Sequence, residues 1–191
     1  MLENLIISRV RMKILSLFFL NPDKKYHLRE IQRQTNEAMN AIRREMQHLQ
    51  DSGFASAEMR GNRKYYIMRH DNPFYFDLLE LINKSEGLGR VLLAKKAKLG
   101  KVKFIMLSGK YVRGIKHSVN DVDLLLVGHV VLPEVLQVLK QEEQRRGTEI
   151  NYTVMTEDEF KFRKQRKDPF VERILKGSRV MILGDEEELV K

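Results

Sequence analysis

The chain has 191 residues, of which 42% are hydrophobic and 32% charged, and its formal net charge is +9. That length gives room for one or two packed domains, and the excess of cations points to a polyanionic partner such as nucleic acid, a generally basic surface being the plainer alternative. The absence of cysteine excludes a disulfide framework and thiolate zinc sites, and the five histidines, His27, His48, His70, His117 and His129, are too scattered to give zinc-ligand spacing.

The first elements follow from periodicity. Helical spacing over 2–20 places Leu5, Ile6, Val10, Ile14, Leu17 and Phe18 on one face. The run ILSLFFL within it is too short to span a bilayer and lacks a small-residue cleavage site, so we expect a cytoplasmic protein with no membrane partner. NPDKK (21–25) is a turn, and Tyr26–Thr35 a short helix with Leu28 and Ile31 inward. Asn36 is expected to N-cap a helix from Glu37 to Asp51 that buries Ile42, Met46 and Leu49, with Gly53 as its C-cap. The opposite face of that helix carries Asn40, Arg43, Arg44 and Gln47. Gly61-Asn62 between two strand-like runs in 54–69 predicts a β-hairpin.

Helix, short helix, turn, longer helix and hairpin, carried here by HLREIQRQTNEAMNAIRREMQHLQDSGFASAEMRGNRKYYI, resembles the winged helix-turn-helix of bacterial and archaeal transcription regulators. The resemblance assigns residues 1–70 to a DNA-binding domain, in which 13 Lys and Arg against 7 Asp and Glu leave a net charge of 13 − 7 = +6. It implies a double-stranded DNA partner. Arg43 and Arg44 suit guanine readout or phosphate clamping, Asn40 suits adenine, and Gln47 shares their face. Arg60, Asn62, Arg63 and Lys64 at the hairpin tip suit a phosphate backbone or a minor groove. Taken alone, Arg43 and Arg44 would read as a solvated cationic face.

Residues 71–100 are expected to be a helical connector. Pro73 opens a helix, Phe74, Leu78, Leu81 and Ile82 form an apolar stripe, and Gly87 and Gly89 divide the segment in two. The stripe packs either on the second domain or on a second copy of the chain, and the winged-helix resemblance favours a homodimer.

From 101 to 191 strands alternate with helices: VKFIMLSG, DVDLLLVG, a helix over 132–147 capped by Gly147, EINYTVMT, two short helices, then SRVMILG. The stretch SGKYVRGIKHSVNDVDLLLVG resembles the signature of minimal nucleotidyltransferases of the polymerase-β superfamily, with Gly109, Arg113, Gly114, Asp121 and Asp123 in register. The fold class expected is therefore α+β, a winged helix-turn-helix domain followed by an α/β nucleotidyltransferase-like domain with a small mixed sheet. The second resemblance implies Mg²⁺ and a nucleoside triphosphate, with Asp121 and Asp123 as metal and catalytic carboxylates on one face of a strand. It implies phosphate binding by the turn of Gly109, Lys110, Arg113 and Gly114.

Two departures weaken that activity. Lys110 replaces the serine of the turn, free either to neutralise a phosphate or to pair with Asp121 and Asp123. Asn151 stands where the family carries its third carboxylate, with Glu149 as a stand-in. Three functions are thus weighed: a DNA-binding transcription regulator whose second domain binds a ligand such as a nucleotide or serves as scaffold; a Mg²⁺-dependent nucleotidyltransferase acting on a protein, drug or nucleic acid; and a protein-binding, antitoxin-like adaptor. No P-loop, GxGxxG or hydrolase pattern is present. The basic run KFRKQRK (161–167) is read as a solvated helix end, with contact to nucleic acid as the alternative.

Overall fold

The Ser8 hydroxyl accepts the Arg11 N–H at 3.2 Å and so starts the first helix, α1 (Arg9–Phe19). This computed structural model describes residues 8–116, 118 and 120–191; Leu5, Ile6 and His117 lie outside them. Helix α1 buries Met12, Ile14, Leu15, Phe18 and Phe19, a wider stripe than expected, while Val10 and Leu17 are half-buried. The reason is that α1 is covered from several sides, by the next two helices and by a later one (75–85).

The helix expected from Tyr26 begins two residues later. Tyr26 and His27 form a short strand, β1, paired with Tyr66 and Tyr65. His27 then caps α2 (Leu28–Thr35): its Nδ1 accepts the Glu30 N–H at 3.2 Å, and the Glu30 carboxylate accepts the His27 N–H at 3.3 Å. Asn36 closes α2 instead of opening the next helix. Its φ of 52° and ψ of 44° are left-handed, and its N–H donates to the Gln32 carbonyl at 2.8 Å. Asparagine tolerates that conformation better than most residues, which explains the reversed role. Helix α3 (Met39–Asp51) follows with Ala38 at its cap position, and Ile42, Met46 and Leu49 are buried as expected. Its cap residue is Ser52, with Gly53 one place beyond at φ 72°. The Phe54 N–H to Leu49 carbonyl (2.8 Å) and Gly53 N–H to Gln50 carbonyl (3.0 Å) bonds complete a Schellman turn.

Strands β2 (Ala55–Arg60) and β3 (Arg63–Met68) pair with Arg60 opposite Arg63, so Gly61-Asn62 is a two-residue turn. Gly61 has φ 57° and Asn62 does not share the positive sign, as a type II′ hairpin requires. The sheet order is β1-β3-β2, antiparallel throughout. In α4 (Tyr75–Ser85) the Asn72 side chain accepts the Phe74 N–H at 2.9 Å, and Pro73 stays outside the helix. The inward residues are Tyr75, Leu79, Ile82 and Asn83; of the expected stripe only Ile82 is buried, while Phe74 and Leu81 are exposed. Gly87 opens α5 (Gly87–Ala94), and Gly89 is buried within it without breaking it.

The chain falls into two units, 1–85 and 86–191. The expected 71–100 connector is therefore divided, α4 going with the first unit and α5 with the second.

The second unit contains β4 (Gly100–Ser108), α6 (Gly109–Val112), β5 (Leu124–Val130), α7 (Leu132–Arg146), β6 (Tyr152–Met155), α8 (Glu157–Gln165), α9 (Pro169–Lys176), β7 (Arg179–Leu183) and α10 (Glu186–Val190). Its sheet order is β6-β5-β4-β7. β4 runs antiparallel to β5 and β7, and β5 runs parallel to β6. Leu124, Leu125, Leu126 and Val127 are all fully buried, so β5 is covered on both faces. One face packs Phe104, Met106, Leu125 and Val127 with Met155, Phe160, Val171, Met181 and Leu189. The molecule is thus mixed α+β with small sheets, and among the described residues no helix is long and apolar enough to cross a membrane.

Candidate functional site

In the first unit the cations divide into two sets. Some are committed to the fold: Arg11 to Glu45, Lys13 to Glu37, Lys25 to Glu58 and Arg69 to Asp71. Arg60, expected at the wing tip as a free cation, is also paired with Glu58. By contrast Arg29, Arg43, Arg63 and Lys64 form no ion pair among the described residues. Together they line a cleft of about 380 Å³ with His27, Leu28, Met39 and Asn62. Three elements meet there: the first turn of α2, the exposed side of α3 and the hairpin tip. Asn40, Arg43, Arg44 and Gln47 all lie on the exposed side of α3. Arg43 donates to Asn40 at 3.5 Å and Gln47 to Asp51 at 2.7 Å. Lys64 stands over the Tyr66 ring at 5.3 Å, which keeps its stem in place while leaving the ammonium exposed. Arg29 was not expected at this surface. Its position at the start of a capped helix beside the turn is the signal that could have found it.

Beneath this surface Glu45 anchors α3. Its carboxylate accepts the Ser8 hydroxyl at 2.7 Å and the Arg11 Nε–H at 2.9 Å, and its side chain is only 6% exposed. Burial pushes its pKa up, but the Ser8 hydroxyl and the Arg11 guanidinium outweigh that and hold it below the ordinary value.

In the second unit Asp121 and Asp123 precede β5, which begins at Leu124; the expected placement of both on one strand face is corrected. The ladder starts late because the Asn151 carbonyl takes both the Asp123 N–H (2.7 Å) and the Leu124 N–H (3.1 Å). Asp123 is fully buried, its Oδ2 accepting the Asn151 N–H at 3.0 Å. Asp121 is nearer the surface. Both its oxygens accept from Lys110 Nζ, at 2.9 and 2.8 Å, and its Oδ2 also accepts the Ser118 N–H at 2.8 Å and hydroxyl at 3.1 Å. The Lys110 ammonium, and then the Ser118 donors, pull its pKa down to about 2. Asn151 does lie next to the pair, and its side-chain amide donates to the Ser118 carbonyl at 3.2 Å. Glu149 is exposed and precedes β6, so alternation along a strand does not align it with Asn151.

The glycine turn is a short helix, α6. Gly109 is required by contact: a Cβ there would lie 2.9 Å from the Ser178 carbonyl oxygen and 2.8 Å from its Cβ. The Gly109 N–H donates to that same carbonyl at 2.6 Å, and the Gly114 N–H donates to Tyr111 at 3.2 Å. Those two amides serve the fold. Arg113 forms the C-cap of α6. Beside Asp121 opens a cleft of about 580 Å³, lined among others by Asn120, Asn151, Tyr152, Phe170 and Arg173. Among the described residues no group of three or more His, Asp or Glu side chains is placed to hold a metal ion.

No family model, no curated protein and no solved structure matches this chain.

Proposed function

We propose that the protein is a DNA-binding transcription regulator, with the first unit a winged helix-turn-helix and the second a nucleotidyltransferase-like domain serving as ligand-binding module or scaffold. The observation that carries this is the set of cations without an ion pair among the described residues, Arg29, Arg43, Arg63 and Lys64, gathered on one cleft, whereas Arg11, Lys13, Lys25 and Arg69 are neutralised. An exposed guanidinium without a carboxylate partner is available to a phosphate or a base edge. The α2–turn–α3 order with the hairpin beyond it supports the winged-helix reading. On that reading α3 enters the major groove, presenting Asn40, Arg43, Arg44 and Gln47, and the hairpin lies along the backbone through Asn62, Arg63 and Lys64. The mixed sheet β6-β5-β4-β7, with Asn151 beside Asp123, supports the second part.

A second copy completes the proposal. Phe74, just before α4, and Leu81 within it are 62% and 40% exposed, and a homodimer joined there would present two recognition helices to paired half-sites.

Selection of bound fragments from a random duplex library tests the reading. A defined motif should emerge, and Arg43→Ala should cost about 1–3 kcal/mol on it and relax one base position. Fragments without any shared motif, bound equally by wild type and variant, would refute sequence readout by α3.

A further inference from the structure

The nucleotidyltransferase resemblance brings with it a divalent metal held between two aspartates and a third carboxylate. We propose instead that the Lys110 ammonium is a built-in substitute for that ion, so that the Asp121–Asp123 pair holds no divalent metal. The expectation of a metal comes from the reading of the second unit given above; the Lys110 contact stands without it.

Three observations meet at this point. First, Lys110 Nζ lies within hydrogen-bond distance of both Asp121 oxygens, 2.9 and 2.8 Å, a chelating position along the open side of the carboxylate. Second, Oδ2 of Asp121 also takes the Ser118 N–H and hydroxyl at 2.8 and 3.1 Å, so that oxygen already has three donors. An ion seated there would have to break charge-assisted bonds as well as shed its water, and Mg²⁺ dehydrates reluctantly. Third, the charge needed to hold the ion is missing. Lys110 balances the charge of Asp121, and Asn151 adds none where the family has its third carboxylate. The Asn151 side chain is turned to the Ser118 carbonyl at 3.2 Å, and its N–H holds Asp123 Oδ2 at 3.0 Å. Lys110, Asp121, Ser118, Asn151 and Asp123 are thus linked by one chain of hydrogen bonds. The neighbouring cleft carries its own cation, Arg173, exposed and free of ion pairs among the described residues, so an anionic group there would need no metal.

The test uses the full chain and Mn²⁺ as probe, read as the electron paramagnetic resonance signal of the free hydrated ion. Wild type should leave that signal at its buffer level, and Lys110→Ser combined with Asn151→Asp should deplete it by binding. Depletion by wild type that Asp121→Asn abolishes would overturn the proposal and would at the same time favour the enzymatic reading. Depletion that Asp121→Asn leaves unchanged belongs to another place on the protein and agrees with it. Because the double variant alters the fold's own bonds, the ¹⁵Nζ resonance of Lys110 is followed in wild type as well. It should keep its position when Mg²⁺ is added; a shift or loss of that resonance would show that the ion displaces the lysine, and the proposal would fail.

Discussion

Replacing Arg11 with methionine removes a guanidinium while keeping most of its apolar stem, and among the described residues leaves Glu45 with the Ser8 hydroxyl as its remaining hydrogen-bond donor. The carboxylate is 6% exposed, whereas Arg11 is 40% exposed. Stripping one partner from a buried ion pair costs up to about 3–5 kcal/mol, because a charge is left desolvated. The surviving Ser8 bond lowers the expectation to about 2–3 kcal/mol. The converse change, Glu45→Gln, keeps the shape and leaves only a guanidinium that water reaches, so it should cost about 1 kcal/mol. Hydrogen exchange of the Ile42 and Met46 amides against denaturant reads this unit by itself. The pH dependence should differ in size. In wild type the Glu45 pKa is held below its ordinary 4.5, so its contribution is present above that value and lost as pH falls through the folded pKa. In Arg11→Met the guanidinium no longer opposes burial, so the Glu45 pKa rises from its wild-type position and less of that contribution is present at neutral pH. The gap between the two proteins therefore widens from acid to neutral pH. Equal costs for the two substitutions, or a gap independent of pH, would refute the claim that Glu45 is a desolvated, paired carboxylate.

Three further outcomes are expected. Gly109→Ala should destabilise the second unit by about 1–3 kcal/mol in urea unfolding, since its methyl group meets the Ser178 Cβ and carbonyl below 3.0 Å; Ser178→Gly should recover part of the loss, and wild-type stability would contradict the contact. Carboxyl ¹³C titration by NMR should place Asp121 at about 2 in wild type and move it toward the ordinary range in Lys110→Met; an unmoved value would mean the lysine does not govern it. Sedimentation should show a dimer that Phe74→Glu with Leu81→Glu converts to monomer, and an unchanged sedimentation coefficient would remove α4 from the dimer interface.

How much could be read in advance depended on whether local chemistry decided the matter. The steps of four and three among Ile42, Met46 and Leu49 specified the buried side of α3, and Gly61-Asn62 specified the hairpin, because both signals are complete within a few residues. Gly147, at φ 74°, ends α7 where expected for the same reason. Asn36 misled because asparagine serves equally as an N-cap or as a left-handed terminator, and only the chain that follows decides. The stripe on α4 was misassigned because apolar residues surround the helix: Phe74, Tyr75, Phe76, Leu78, Leu79, Leu81 and Ile82 offer no single hydrophobic face. The start of β5 depended on a carbonyl at Asn151, and the burial of Glu45 on Arg11 in another helix; neither leaves a local trace in the sequence. The candidate cations of α3 and the hairpin tip were legible by type and spacing. That Arg60 is neutralised by Glu58, while Arg29 has no ion pair among the described residues, is a property of the folded surface.

The affinity of the full chain for duplex DNA across a salt series bears most directly on the proposed function. Binding should weaken linearly in a log–log plot, and each phosphate contact removed should reduce the slope by about 0.9. The account predicts that neutralising Arg29, Arg63 and Lys64 flattens the slope by about 2–3, whereas removing the ion-paired Arg69 leaves it unchanged. Absence of binding at low salt, or the same flattening from Arg69→Ala, would contradict the assignment of this cleft to DNA.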